Sequence, residues 1–199
     1  MAKEHPSEIE LGRERALHPV AAAPGVLVHS GSDRRLAVEQ WLLAALDGPR
    51  REAARREWQT MGLAMLPLGV RYSAVRIPGR LVHLAVDSED PHRVDEVLAE
   101  ALGGPVICDL RHPRYYALVP RVAPPWASVI EHWHAAGIDV LGSGCLLGVP
   151  PVEAEGGPGA ACSSYWAVPM PSLGELCDPL AVEQLVTAGL ARLVRELGV

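Results

Sequence analysis

The chain has 199 residues, of which 49% are hydrophobic and 21% charged, enough to bury one core without disulfide or metal staples. Its formal net charge of −6 excludes global attraction to a polyanion, so nucleic-acid binding would need a local basic patch. Lys3 is the only lysine and neither Phe nor Asn occurs, a pattern that looks like a coding bias and weakens a functional reading of arginine richness. Cys108, Cys145, Cys162 and Cys177 are widely spaced without a CxxC pair, which speaks against a zinc site and for small buried hydrophobes. No run approaches the ~20 apolar residues of a membrane span, and the N-terminus lacks an apolar leader core, so a cytoplasmic protein with no membrane partner is expected.

Residues 1–30 carry Pro6, Pro19, Pro24 and Gly25 among mixed charges and read as a flexible arm. A helix is expected from Ser32 or Asp33, with Val38, Trp41, Leu42, Ala45 and Leu46 on one face. Asp47-Gly48-Pro49 breaks it and opens a second, heavily charged helix to about Thr60. These two form a helical pair over 31–60. A short apolar run, Leu63 to Pro67, and an alternating stretch, Tyr72 to Ile77, then read as strands.

Residues 79–86 fit a buried helix turn and a strand equally well. Asp90-Pro91 caps a helix that runs to Gly103-Gly104. Pro105 to Cys108 and Arg114 to Val119 read as strands joined by a polar turn. Trp126, Val129, Ile130 and Trp133 share a helical stripe that ends at Gly137, and the segment Gly137 to Pro151 follows as a strand. Residues 153–164 read as a mobile loop before a strand over Tyr165 to Val168. Asp178-Pro179 caps a last helix over 178–198. The mixed order predicts one α+β (mixed α/β) domain over 31–199, with a central mixed or antiparallel sheet over 61–177 flanked by helices.

Few residues suggest chemistry. Gly142, Gly144 and Gly148 run into a strand rather than a helix N-terminus, so they make a turn and not a phosphate cradle. Ser143 lacks the frame of a nucleophile elbow. His132 and His134 point about 160° apart on a helix and do not share a metal ion easily. Asp87 and Glu89 are candidate divalent-cation ligands, although Asp90 is better explained as a helix cap. Arg50, Arg51, Arg55 and Arg56 form a charged helix face that Glu52 and Glu57 partly neutralise.

Four blocks resemble, in order, the bifunctional DNA primase/polymerase N-terminal (prim-pol) domain family: Gly62-Leu-Ala-Met-Leu-Pro-Leu-Gly69, Arg114-Tyr-Tyr-Ala-Leu-Val119, Gly137-Ile-Asp-Val-Leu-Gly142 and Cys145-Leu-Leu-Gly-Val-Pro-Pro151. The resemblance implies a two-metal nucleotidyl-transferase ancestry in which carboxylates hold Mg or Mn. It places Asp139 at the family's late aspartate. The earlier D-x-D/E pair has no match beyond Asp87-Ser-Glu89, the glycines of the family's histidine turn are replaced by His112 and Pro113, and Leu141 stands where an arginine follows the aspartate. Asp139 is therefore expected to be a relic, with Asp139, Asp87 and Glu89 as residual metal candidates. The same resemblance implies a nucleotide or nucleic-acid cleft lined by Arg71, Arg76, Arg111 and Arg114. Two expectations stand: a non-catalytic interaction or regulatory domain with a protein partner or a second copy, and a degenerate domain that still binds nucleotide or single-stranded nucleic acid. An active enzyme ranks below both.

Overall fold

A computed structural model of the chain describes residues 20–23, 26–28, 31–121, 126, 128–154 and 163–198. It begins with a ribbon of β1 (Val20–Ala23) and β2 (Val26–Val28), paired antiparallel within the stretch expected to be an arm. The rest of that arm lies outside the described residues, as does most of the expected mobile loop, residues 155–162.

The expected helical pair is present as α1 (Gly31–Leu43) and α2 (Gly48–Met61). Asp47 caps α2 by accepting the Arg50 N–H at 3.0 Å, and Pro49 sits in its first turn, where a missing N–H costs nothing. Gly62 ends it in the left-handed conformation with φ 67°, its N–H bonded to the Trp58 carbonyl. Arg55 ties the two helices together through Glu39 at 2.8 Å. Three arginines of this face are engaged within the pair: Arg55 also holds Glu52, Arg56 donates to the Glu52 carbonyl, and Arg51 donates to the Leu46 carbonyl.

β3 (Ala64–Pro67) and β8 (Leu146–Val149) form a second antiparallel ribbon. The main sheet has five strands in the order β7-β4-β6-β5-β9: β7 (Asp139–Leu141), β4 (Tyr72–Pro78), β6 (Arg114–Pro120), β5 (Val106–Asp109) and β9 (Ser164–Val168). Every pairing is antiparallel. This is the α+β fold expected from the sequence. The segment from Gly137 to Pro151 supplies two strands rather than one, β7 in the main sheet and β8 in the ribbon, because the turn at Gly142 to Cys145 redirects the chain between layers.

Both faces of the main sheet are buried, which is why its strands read as nearly continuous apolar runs. One face, carrying Val75, Ile77, Tyr115, Ala117, Cys108 and Tyr165, packs against α3 (Gly79–Val86), α4 (Pro91–Leu102) and α6 (Pro179–Leu197). The other, carrying Tyr72, Ala74, Leu118, Ile107 and Trp166, packs against α1, α2 and the β3–β8 ribbon. The ambiguous stretch 79–86 resolves as α3 because it lies on the sheet and pairs with α6, not with a strand. That contact is close: a Cβ on Gly189 would stand 2.5 Å from the Leu81 carbonyl oxygen, so only glycine fits. Asp90 and Asp178 cap α4 and α6 ahead of prolines, as their sequences predict.

Among the described residues, the stripe from Trp126 to Trp133 is helical at its end, α5 (Ile130–Ala135). Turn hydrogen bonds from Val129 and Ile130 to the Trp126 carbonyl lead into it, and both tryptophans are buried with ring centroids 5.0 Å apart.

Candidate functional site

Strand register decides which of the singled-out residues meet. β7 is an edge strand whose Asp139 lies directly opposite Arg76 of β4, and Arg76 in turn lies opposite Tyr116 of β6. Side chains directly opposite on a pleated sheet share a face, so Asp139, Arg76 and Tyr116 form one row. One step along, Arg114 of β6 lies opposite Pro78 on one side and Asp109 of β5 on the other, and Asp109 lies opposite Ser164. One end of this face therefore carries Asp139, Arg76, Arg114 and Asp109 together.

The Asp139 carboxylate is held from two directions. Arg76 Nη2 donates to Oδ2 and His134, from the last turn of α5, places Nδ1 2.8 Å from Oδ1. The Asp139 side chain is 18% exposed and Arg76 32%, whereas the His134 ring is largely in solvent. Burial raises the Asp139 carboxyl, but the hydrogen bonds and charges of Arg76 and His134 outweigh it, so its pKa is held below the ordinary value. Arg76 Nε is buried without a partner among the described residues, so Asp139 is the charge that compensates this guanidinium. In the sequence His134 stands out only as a candidate metal ligand shared with His132. Its partner lies five residues downstream across the Gly137 turn, a contact that no helical spacing reveals.

The other expected ligands lie elsewhere. Asp87 ends α3 in the left-handed region, φ 64°, and pairs with Arg192 of α6 at 3.1 Å. Glu89 is exposed in the link between α3 and α4, ahead of the Asp90 cap. Both sit in the helical layer against the opposite face of the sheet from Asp139. Among the described residues no three His, Cys, Asp or Glu side chains are grouped to hold a metal ion.

Of the four arginines, three lie at one end of the main sheet and one does not. Arg111 lies in the β5–β6 turn, where its N–H donates to Asp109 Oδ1 at 2.9 Å, close to Arg114 and one row from Arg76. Both Arg111 and Arg114 are exposed with no ion pair among the described residues. Arg71 precedes the far end of β4, about 20 Å away at ~3.3 Å per residue, and lies over the Trp41 ring at 5.7 Å. The expected four-arginine cleft is thus a three-arginine edge with two aspartates set into it.

No family model, curated protein or solved structure matches the chain. The site must therefore be read from its own chemistry. Each carboxylate oxygen is already engaged, one by a guanidinium and one by an imidazole, and the positive charge of the arginine beside it opposes cation entry. A separate cavity of about 170 Å³, lined by Arg34, Arg35, Val38, Val152, Trp166 and Met170, opens between the start of α1 and the end of β9. Trp166 belongs to the strand at the opposite sheet edge from Asp139, so the cavity is no part of this site.

Proposed function

We propose that this chain is a non-catalytic, prim-pol-like interaction or regulatory domain that acts in a nucleic-acid-related context. The observation that carries the reading is the state of Asp139. A metal-binding carboxylate in a two-metal nucleotidyl transferase needs neighbouring carboxylates and open oxygens, because the ions must bridge the attacking and leaving groups. Here the oxygens face Arg76 and His134, and Asp87 and Glu89 stand in another layer. The geometry is that of a cross-strand ion pair that fastens edge strand β7 and the end of α5 to β4.

One observation favours a second reading, a degenerate domain that still contacts nucleotide or single-stranded nucleic acid. The Arg111 and Arg114 side chains are exposed at the same sheet end as Arg76, with no ion pair among the described residues. Fluorescence anisotropy with labelled single-stranded DNA, and separately with a labelled nucleoside triphosphate, with Mg²⁺ or Mn²⁺ at two salt concentrations, decides between the two. The leading reading predicts no salt-sensitive binding. Binding that weakens with salt and falls on Arg111→Ala or Arg114→Ala establishes the second reading instead.

A further inference from the structure

We propose that the open edge of β8 is a self-association surface, at which two copies of the chain join their β3–β8 ribbons into one four-stranded antiparallel sheet. This deepens the interaction-module reading and rests on it, because it names the partner as a second copy.

The hydrogen-bonding pattern identifies the edge. The Met65 N–H donates to Glu57 Oε2 at 3.2 Å, so it points away from β8. Antiparallel alternation then assigns the ladder bonds to the pairs Ala64 with Val149 and Leu66 with Leu147, in line with the Leu68 N–H bond to the Cys145 carbonyl at 3.0 Å. By the same alternation, the backbone groups of Leu146 and Gly148 point away from β3. Among the described residues, β8 has β3 as its sole strand neighbour. The two edges of the ribbon are treated differently. On β3, Glu57 occupies the Met65 donor and Pro67 has none to offer, which are two known ways of blunting an edge. On β8 nothing comparable is present among the described residues.

The side chains agree with the backbone. On the outer face of the ribbon, Met65 is 46% and Leu146 53% exposed, whereas the inner Ala64, Leu66, Leu147 and Val149 are buried. Met61, just upstream at the end of α2, is 67% exposed. Residues 61–70 and 140–152 contain no Asp, Glu, Lys, Arg or His, in a chain that is 21% charged. Two copies that each carry a formal charge of −6 repel one another least where both surfaces are neutral.

The register is self-complementary. A two-fold axis at Leu147 sets Leu146 of one copy opposite Gly148 of the other and satisfies all four outward N–H and C=O pairs. Gly148 has no side chain of its own, and Leu63 lies over it, 2.8 Å from where a Cβ would stand. The incoming Leu146 of the second copy would then lie beside Leu63, next to Met65, and the apolar outer faces become continuous.

Sedimentation velocity of the full chain from low-micromolar to sub-millimolar concentration tests this. The expected result is a concentration-dependent dimer. Leu146→Pro removes the outward donor without touching the β3 ladder, and Met65→Lys with Leu146→Lys charges the outer face. Each should weaken association at least ~10-fold while far-ultraviolet circular dichroism stays unchanged. A chain that stays monomeric throughout overturns the proposal, and so does a dimer that both variants leave intact. A dimer abolished instead by Thr187→Arg on the exposed face of α6 also overturns it and moves the contact to that helix. The anisotropy titration tests the interaction-module reading separately, so a monomer that binds no nucleic acid removes this surface alone.

Discussion

Replacing Asp139 by Asn separates a structural ion pair from a carboxylate kept for metal binding by the sign of its effect on stability. Two unit charges ~4 Å apart interact by about 4 kcal/mol at the effective dielectric of a protein surface, before desolvation and side-chain ordering are subtracted. Hydrogen bonds to charged groups retain about 1.5–3 kcal/mol net. The pair is 18% and 32% exposed, so solvent screening lowers this, and Asp139→Asn should cost about 1–2 kcal/mol. In a chain of this size that corresponds to a melting-temperature drop of about 3–6 °C. Carboxylates kept for metal binding behave oppositely, because neutralising them relieves strain held for function. The assay is urea unfolding at neutral pH of the wild type, Asp139→Asn, Arg76→Met and the double variant. The coupling energy from that cycle should be about 1–2 kcal/mol and favourable. A stabilised Asp139→Asn variant, or a coupling near zero, would refute the ion-pair reasoning.

Three further outcomes follow from the packing. Burial raises the Asp95 carboxyl to about 6, against the opposing hydrogen bond from Tyr165, so its stabilising contribution is complete below its unfolded value of 3.8 and is lost as pH rises through about 6. Asp95→Asn should therefore stabilise the protein at pH 7 by up to about 2 kcal/mol, allowing for partial exposure, and leave it unchanged below pH ~4, as pH-dependent thermal unfolding will show. Tyr72 is fully buried with no hydroxyl partner among the described residues, so Tyr72→Phe should be neutral or stabilising by about 1 kcal/mol in urea unfolding, and a loss above that would contradict an unsatisfied hydroxyl. Gly189→Ala forces its methyl against the Leu81 carbonyl and should cost about 1–3 kcal/mol, despite the better helix propensity of alanine, by the same measurement.

Local signals were legible wherever one residue type has one backbone job. Asp47, Asp90 and Asp178 ahead of their prolines or a Gly-Pro step located three helix starts, and Gly103 one helix end. The stretch 79–86 was not legible, because a buried helix and a buried strand show the same apolar density, and only the close approach of Gly189 decides for a helix. The division of Gly137 to Pro151 between two sheets was hidden for a related reason. Both of its strands are apolar, and the partner of each, β4 or β3, lies about 65 to 80 residues away in the chain.

The candidate site was half visible. Asp139 stood out by its place beside a glycine turn, but its partners are fixed by register: Arg76 sits 63 residues upstream. Asp87 drew attention as an acid in a polar cluster, whereas the fold uses it to end α3 and to hold Arg192. The four arginines read as one set because the resemblance grouped them. Strand length separates Arg71 from the other three.

Titration with Mn²⁺, followed by calorimetry and by the electron paramagnetic resonance signal of the free ion, tests the non-catalytic reading most directly. Wild type and Asp139→Asn should give the same weak, non-saturating response. A saturable Mn²⁺ site in the wild type that Asp139→Asn abolishes would contradict it, because it would show that this carboxylate leaves Arg76 and His134 to bind the ion.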